Sequence, residues 1–256
     1  WRTTWINKKS NKSFAITHTA TNGQGRLSFY TMIQDTCFLS AVISDPDEPV
    51  TFQEAWNHPN HEDRQKWRDA IRKEFKCMKE KGVWRNTSTR NIPSNRRLIG
   101  SKWVFKIKRN GMYRARLVAL GYSQIPGVDY TDNFAPVVND VTFRIALTRM
   151  MMENLDSMMI DVETAFLYGE LEEEIYMKIP EGYTEVEGSQ ESNQCLLLQK
   201  GIYGLVQAAR QWVKRWTSEL TRPEVGFMLS AADLCMLYRE NELGICIVLM
   251  YVDDML

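Results

Sequence analysis

Residues 245–254 read Ile-Cys-Ile-Val-Leu-Met-Tyr-Val-Asp-Asp, an apolar stretch that ends in two acids. Its length is typical of a buried strand and is about half that of a membrane span. A shorter apolar approach, residues 158–160, likewise leads into an acid, Asp161. If the two strands are neighbours, the carboxylates of Asp161, Asp253 and Asp254 converge at one edge of a sheet.

Acids in this position have a specific chemical use. An unpaired carboxylate at the end of an apolar strand is desolvated, which is costly. Converging hard oxygen ligands suit Mg²⁺, which takes a few carboxylates together with substrate phosphates. Two such ions, roughly 3.5–4 Å apart, activate an attacking oxygen and stabilise a leaving one. The alternative is that Asp253 and Asp254 form an ordinary surface turn, and these residues alone do not decide between the two.

Periodicity predicts several further elements. Helices are expected after the capping box at 51–54, over 61–81, over 139–154 and within 201–220. The helix within 201–220 places Trp212, Trp216 and Leu220 on one side. Strands are expected over 172–178, and over 234–238 and 245–252 as a terminal hairpin, with the strand that would return after Asp254 missing.

A second hairpin is predicted between residues 97 and 119. Apolar and cationic residues alternate over 102–108, which is typical of a half-buried strand, and Asn110-Gly111 is a strong turn signal. A two-residue turn would place Arg114 and Arg116 on the aromatic face. A three-residue loop over 109–111 with a glycine bulge sets Lys106 opposite Arg114 instead. We favour the second register, because burying two arginines beside Trp103 is costly.

The formal net charge is zero, but the charges are segregated along the chain. Residues 81–128 contain eleven Lys and Arg and no acid, whereas residues 153–191 contain twelve acids and a single cation, Lys178. A basic hairpin with interleaved aromatic residues suits a phosphate-bearing ligand. The alternative, that the two blocks attract each other as solvated faces, is equally compatible with charge alone.

Composition sets the broad class. In 256 residues, 44% are hydrophobic and 25% charged, which excludes a collagen, a disordered tail and a small disulfide scaffold. The five cysteines are scattered without metal-site spacing, so we expect reduced, buried thiols in a cytosolic or nuclear protein. Residues 1–48 are polar and predict a linker or disordered tail. The chain lacks a starting Met and a signal-peptide pattern, so it is expected to be part of a larger protein.

A series of motifs resembles one family. In order they are the helix and Gly-x-Trp ending over 67–84, Gly-Ser-Lys-Trp-Val-Phe-Lys-Ile-Lys over 100–108, Ala-Arg-Leu-Val-Ala-Leu-Gly-Tyr-Ser-Gln over 115–124, Gly-Val-Asp-Tyr over 127–130, Phe-Ala-Pro-Val-Val over 134–138, Ile-Asp-Val-Glu-Thr-Ala-Phe-Leu-Tyr-Gly over 160–169, Ile-Tyr-Met over 175–177, Pro-Glu-Gly-Tyr over 180–183, Ile-Tyr-Gly-Leu-Val-Gln-Ala-Ala-Arg-Gln-Trp over 202–212 and Tyr-Val-Asp-Asp over 251–254. From about Phe52 to Leu256, the chain resembles the reverse transcriptase domain of Ty1/copia-type retrotransposon Gag-Pol polyproteins. It departs from the family at Val206, where lysine is usual, and at Ala209, where proline is usual.

The resemblance implies an α+β fold: the fingers and palm of a right-hand polymerase, with an antiparallel palm sheet flanked by helices. It implies fingers over about 82–138 and a palm over about 139–256, within a domain spanning 49–256. Because the sequence ends just after the Tyr-Val-Asp-Asp motif, the fold is expected to be incomplete at its C-terminus and the thumb absent.

The resemblance also implies an activity and a site. The activity is RNA-directed DNA polymerisation, in which the primer 3′-hydroxyl attacks the α-phosphate of a deoxynucleotide and pyrophosphate leaves. Two Mg²⁺ ions, or Mn²⁺, would be held by Asp161 and Asp253 with the Val162 carbonyl, and Asp254 would complete the triad. Nucleotide contacts are implied for Lys106, Lys108, Arg109, Arg114, Arg116, Phe166, Tyr203, Gly204 and Gln207. Phe166 would exclude a 2′-hydroxyl, and the alternative for it is a core aromatic.

The implied partners are an RNA template with a DNA primer, deoxynucleotides and the rest of the Pol polyprotein (thumb, ribonuclease H and integrase), with no membrane. The implied location is cytoplasmic, in a virus-like particle, or nuclear. The isolated chain is expected to have little activity. A rival interpretation is a non-catalytic retroelement relic or domesticated nucleic-acid-binding module, and a third is another two-metal nucleotidyl transferase or nuclease.

Overall fold

A computed structural model describes residues 48–188, 193–242 and 244–256. Pro49–Leu256 is one compact unit, separate from the residues that precede it. The linker predicted over 1–48 lies outside the described residues except for Glu48, so the architecture that follows is that of this unit.

Two helices open this unit, as predicted. Helix α1, Phe52–Trp56, begins at Thr51, whose hydroxyl accepts from the Glu54 N–H while the Glu54 carboxylate accepts from the Thr51 N–H, a complete capping box. Helix α2, His61–Glu80, is capped by Asn60 and is followed by Gly82 at φ +61°. The predicted apolar stripe of α2, consisting of Trp67, Ile71, Phe75 and Met78, is buried throughout.

A four-stranded sheet packs beside α2. It contains β1 (Trp84–Ser88), β2 (Leu98–Ile99), β6 (Glu170–Met177) and β7 (Gln194–Lys200), in the order β1-β7-β6-β2. Its pairs are antiparallel except β2 with β6. The sequence predicted β6 but neither β1 nor β7. This sheet joins strands from both sides of residue 138, and the fingers–palm boundary at 138/139 stays a prediction.

The basic hairpin pairs β3 (Ser101–Ile107) with β4 (Tyr113–Ala119). Lys106 lies opposite Arg114, so the favoured register is confirmed. The Lys108 N–H donates to the Met112 carbonyl at 2.9 Å, and Gly111 adopts φ +76° in the three-residue loop that remains. Glycine suits that conformation because it has no Cβ.

A five-stranded antiparallel sheet carries the predicted acids. Its strands are β5 (Ile160–Asp161), β8 (Met228–Leu229), β9 (Met236–Asn241), β10 (Gly244–Tyr251) and β11 (Asp254–Met255), in the order β5-β11-β10-β9-β8. The expectation that the strand returning after Asp254 is missing was wrong. The return begins at Asp254 itself, because β11 pairs with β10 on one side and with β5 on the other.

Three further α-helices connect the sheets: α3 (Asp140–Met152), α4 (Tyr183–Glu187) and α5 (Ala208–Leu220). Short 3₁₀ helices lie at Thr89–Asn91, Gly121–Ser123 and Ala165–Tyr168. The helix predicted over 139–154 is confirmed as α3, although none of its residues is buried. Among the described residues, the helices do not combine the length and apolar character that a membrane crossing requires.

Two main hydrophobic clusters form the core. One gathers α1, α2, the hairpin and the four-stranded sheet, and the other lies under the five-stranded sheet around Trp212 and Trp216. Phe166 packs against both clusters. The four described cysteines are free thiols, but the expectation that all are buried was wrong for Cys246, which is exposed, and for Cys77, which is half-buried; Cys37 lies outside the described residues.

Candidate active site

The turn between β10 and β11 positions two of the candidate carboxylates. Strand β10 ends at Tyr251 and β11 begins at Asp254, so Val252 and Asp253 form a two-residue loop. Val252 has φ +58°. A positive φ at the first of two loop residues is the pattern that usually takes glycine, and it is strained for a β-branched side chain.

The third carboxylate lies on the neighbouring strand. Asp161 is the cross-strand partner of Asp254. One residue further along, the Val162 N–H donates to the Asp253 carbonyl at 2.9 Å. Strand pairing therefore brings all three predicted acids to one edge of the five-stranded sheet, as the sequence predicted from their position after apolar runs.

The electrostatics of Asp254 reflect this convergence. Partial desolvation raises the pKa of the Asp254 carboxyl, and the negative charges of Asp253 and Asp161 raise it further. A cation bound beside Asp254 would oppose this rise.

The donor set fits Mg²⁺ in its chemistry. It consists of carboxylate oxygens whose mutual repulsion a divalent ion relieves, and Mg²⁺ binds with only one or two protein carboxylates plus phosphates and water. In the described part of the chain, no three or more His, Cys, Asp or Glu side chains are gathered closely enough to hold a metal ion by themselves.

An aromatic and cationic stack joins the hairpin to this region. The Arg116 guanidinium lies over the Tyr203 ring at 4.6 Å, and Tyr203 meets Phe166 edge to face at 5.1 Å. Burial raises the pKa of Tyr203; Arg116 and Arg114 oppose this rise, while the charge of Asp253 adds to it. Three predicted nucleotide contacts, Arg116, Tyr203 and Phe166, therefore lie together, and Tyr203 lies within electrostatic reach of Asp253.

The remaining hairpin cations lie further out. Lys106, Lys108 and Arg109 are exposed and line a shallow depression at the hairpin tip, and Arg114 is half-buried on β4. The hairpin thus gathers five predicted cations along one element.

Gly204 holds the Tyr203 segment against the end of the hairpin. The Ala119 N–H donates to the Tyr203 carbonyl at 2.8 Å. Gly204 has φ +87°, and a Cβ there would lie 2.2 Å from the Ala119 carbonyl oxygen. Across the same contact, a Cβ on Gly121 would lie 2.0 Å from the Gly204 carbonyl oxygen. Gly204 is required by this close backbone approach, which aligns Tyr203 with Arg116.

Gln207, a predicted nucleotide contact, lies in the interior. Its side chain is 0% exposed, and its amide donates to the Asp129 carbonyl at 2.9 Å and accepts from the Gln124 amide at 3.0 Å. Asp129 is itself buried, beside Arg96 at 3.5 Å. The Gln207 amide is thus engaged in a buried polar cluster, and its contact with a nucleotide stays a prediction.

The structure adds two polar contacts that the sequence did not indicate. The Trp212 indole N–H donates to the Val252 carbonyl at 2.7 Å, and the buried carboxylate of Glu74 accepts from the Leu117 N–H of β4 at 3.2 Å. For Trp212, the sequence signal was the shared helix face with Trp216, interpreted only as an apolar stripe. The sequence signal for Glu74 was its spacing, three residues after Ile71 and four before Met78, which places it on the apolar face of α2.

Comparison with known proteins agrees with this geometry. The profile of the family described as reverse transcriptase (RNA-dependent DNA polymerase) matches residues 83–256. The chain is 36% identical over 221 residues to the Retrovirus-related Pol polyprotein from transposon TNT 1-94 of Nicotiana tabacum, and 24% identical over 212 residues to the Truncated transposon Ty1-A Gag-Pol polyprotein of Saccharomyces cerevisiae. The chain belongs to the copia-type reverse transcriptase family.

Other relatives of this reverse transcriptase domain agree. The Retrovirus-related Pol polyprotein from transposon RE1 of Arabidopsis thaliana is 32% identical over 197 residues. These alignments cover 84% of the chain for the tobacco relative, 75% for the Arabidopsis relative and 82% for the yeast relative. They cover 16%, 13% and 16% of those relatives, so the chain spans about one sixth of their length or less. No solved structure matches the chain significantly.

Proposed function

We propose that this chain is the RNA-directed DNA polymerase of a copia-like LTR retrotransposon, which adds deoxynucleotides to a primer 3′-hydroxyl on an RNA template. The observation that carries the proposal is the convergence of Asp161, Asp253 and Asp254 at one sheet edge, inside the segment that matches the family. Phosphoryl transfer of this kind depends on positioning and charge neutralisation more than on covalent chemistry by side chains.

Within this proposal, Asp161 and Asp253 bind two Mg²⁺ or Mn²⁺ ions with the Val162 carbonyl, and Asp254 completes the acidic edge. Bound divalent ions would supply activation of the attacking oxygen and neutralisation of the developing phosphate charge. Asp161 lies on a paired strand and Asp253 in a turn fixed by the Val162 N–H, so the protein holds both carboxylates on rigid backbone.

The nucleotide is proposed to lie between the carboxylates and the hairpin. Lys106, Lys108, Arg109, Arg114 and Arg116 supply positive charge for the triphosphate. Phe166 is proposed to lie under the sugar and exclude a 2′-hydroxyl, with Tyr203 packed against it. This assignment is supported by the 5.1 Å contact between these two rings and by the charge interaction of Tyr203 with Asp253.

The two larger sheets are proposed to belong to different parts of the polymerase. We propose that the basic hairpin and the four-stranded sheet form the fingers, and that the five-stranded antiparallel sheet with α3 and α5 forms the palm. The proposed partners are an RNA template with its DNA primer and the other parts of a Pol polyprotein. The proposed location is cytoplasmic, in a virus-like particle, or nuclear.

The test is primer extension with poly(rA)/oligo(dT), dTTP and Mg²⁺, paired with a measurement of Mg²⁺-dependent dTTP binding. Wild type is compared with Asp253→Asn and with Glu240→Gln, a matched exposed acid on β9 of the same sheet. We expect Mg²⁺-dependent dTTP binding in wild type and Glu240→Gln, and its loss in Asp253→Asn. The extension assay also tests the sequence-based expectation that these 256 residues have little activity.

Two outcomes would contradict the proposal. If the folded wild-type protein binds dTTP no better with Mg²⁺ than without it, the proposed polymerase site is wrong. Binding of the template–primer under those conditions would then favour the rival interpretation, a nucleic-acid-binding module without catalysis.

A further inference from the structure

Two tryptophans of α5 contact the turn over residues 252–255, which carries Asp253 and Asp254. Trp212 and Trp216 are one helical turn apart, 1% and 2% exposed. The Trp212 indole N–H donates to the Val252 carbonyl at 2.7 Å, just before Asp253. The Trp216 indole N–H donates to the Met255 sulfur at 3.1 Å, just after Asp254. The two indoles therefore bond to the residues that flank the acidic pair.

This turn needs external support. Val252 adopts φ +58°, a conformation that β-branched residues rarely occupy and that persists only where surrounding contacts fix it. The indole bond to the Val252 carbonyl fixes the peptide that leads directly into Asp253. Without it, the loop is free to move toward a less strained backbone that re-aims the carboxylate.

The same helix is also fixed against the segment that carries Asp161. Gly169 ends the 3₁₀ helix that follows Asp161, and a Cβ at Gly169 would lie 2.7 Å from the backbone nitrogen of Trp212. Helix α5 thus touches both carboxylate-bearing segments within one residue, at Trp212. Helix α5 therefore adds a second connection between the Asp253–Asp254 turn and the segment after Asp161, beside the direct pairing of β5 with β11.

We propose that Trp212 and Trp216 are positioning residues that hold Asp253 and Asp254 in metal-binding geometry through their indole N–H groups. The proposal rests on the proposed metal site and adds to it the element that aligns its two halves. Outer groups that orient metal ligands typically alter metal affinity by about 10–100-fold when they are replaced.

The first test compares Trp212→Phe and Trp216→Phe with Trp67→Phe in the full 256-residue chain. Each change removes an indole N–H and keeps a buried aromatic ring. Trp67 is the matched control, because it is fully buried and its indole N–H has no hydrogen-bond partner among the described residues. We expect Mn²⁺ affinity, measured by electron paramagnetic resonance titration, to fall about tenfold in Trp212→Phe and Trp216→Phe. Trp67→Phe should stay within about twofold of wild type by the same reasoning.

A second measurement needs no destabilising variant. In wild type, the indole N–H resonances of Trp212 and Trp216 should shift on addition of Mg²⁺, while that of Trp67 should not. Asp253→Asn should abolish the shifts. If Mg²⁺ binds through Asp253 and the Trp212 and Trp216 resonances stay unchanged, their indole bonds are not coupled to the metal site and the positioning role is overturned.

The outcomes separate the two proposals. If wild type binds Mn²⁺ in a manner that Asp253→Asn abolishes, yet both tryptophan variants match Trp67→Phe, the positioning role is overturned and the metal site stands. If wild type shows no Mn²⁺ binding that depends on Asp253, the proposed function itself fails. If Trp212→Phe does not fold, the Mg²⁺-induced resonance shifts in wild type decide.

Discussion

Glu74 is an acid on α2 that the fold encloses between that helix and β4, with 8% of its surface exposed. Burial raises the pKa of its carboxyl, and the hydrogen bond from the Leu117 N–H and the charge of Arg116 only partly oppose this. In the unfolded chain Glu74 ionises at its ordinary pKa, so the folded state binds the proton more tightly than the unfolded state does. The contribution of this proton to stability is complete below the unfolded-state pKa and is lost as pH rises through the folded-state pKa.

Glu74→Gln should therefore remove a pH-dependent loss of stability. Glutamine retains an oxygen that accepts from the Leu117 N–H but carries no charge to bury. We expect the variant to match wild type at acid pH and to exceed it increasingly as pH rises from about 4.5 toward neutrality. Urea unfolding across this pH range measures the effect.

Glu80→Gln is the matched control, since Glu80 is exposed on the same helix. A wild-type advantage over Glu74→Gln at neutral pH would mean that the Arg116 charge outweighs burial, and the argument would be wrong.

At the scale of elements, the contact between Gly121 and Gly204 joins the hairpin end to the Tyr203 turn. Gly204→Ala adds a Cβ 2.2 Å from a backbone oxygen, which cannot rotate away, at a positive φ. The positive φ alone costs about 1–2 kcal/mol, and the steric overlap adds about 1–3 kcal/mol.

Gly82→Ala separates the two effects, because Gly82 has φ +61° with nothing within 4 Å of an added Cβ. Thermal and urea unfolding should show a loss of about 1 kcal/mol for Gly82→Ala. They should show about 3 kcal/mol for Gly204→Ala. Equal losses would show that the turn moves aside and that the close approach does not align Tyr203.

The hairpin carries a like-charge pair that stability alone would not favour. Lys106 lies directly opposite Arg114, and like charges at such positions are destabilising. Lys106→Glu should raise the free energy of unfolding by about 0.5 kcal/mol at low salt, and it should weaken dTTP binding in the same protein.

Lys102→Glu is the control, since Lys102 is exposed on the same strand but faces Val118. It makes the same change of charge without removing a like-charge pair, so it should not stabilise. If both variants stabilise equally, the general charge of the hairpin is responsible rather than the pair.

Sequence periodicity predicted the elements that bury only one face. It missed elements whose burial does not alternate along the sequence. Alternation of apolar and polar residues predicted β3. Helical spacing of Trp67, Ile71 and Phe75 predicted α2. Both predictions succeeded because each element has a core face and a solvent face. Strand β7 is buried almost throughout as Cys-Leu-Leu-Leu, so it has no alternation, and β1 has only polar residues after Trp84. Both strands are specified by their pairing with each other, which a local pattern does not contain.

The site shows the same limit. Asp161, Asp253 and Asp254 were predicted to converge because each follows an apolar run, a local signal. The engagement of Gln207 with Gln124 and Asp129 arises from tertiary packing across about eighty residues of sequence, so nothing near Gln207 indicated that its amide is engaged there. Residue types in the sequence predicted the chemistry of the side chains. The partners of each side chain depend on tertiary packing, which the sequence pattern does not contain.

At the scale of the whole molecule, a net charge of zero conceals a local positive field. If the hairpin contacts nucleic acid, binding should depend steeply on salt despite the neutral total, because each neutralised phosphate releases counterions locally. Affinity for an RNA/DNA hybrid, measured by fluorescence anisotropy between about 50 and 200 mM salt, gives the slope of log K against log salt. Lys108→Ala with Arg109→Ala should reduce the slope by about 2, or about 1 for each cation.

The matched control removes two positive charges from another element, α2. Lys73→Ala with Lys76→Ala removes two exposed cations from α2, outside the hairpin, and should leave the slope unchanged. Equal reductions in both double variants would show that the molecule attracts nucleic acid through its total charge. A reduction confined to the hairpin variant would instead show that segregation of charge along the chain, rather than net charge, determines where the duplex binds.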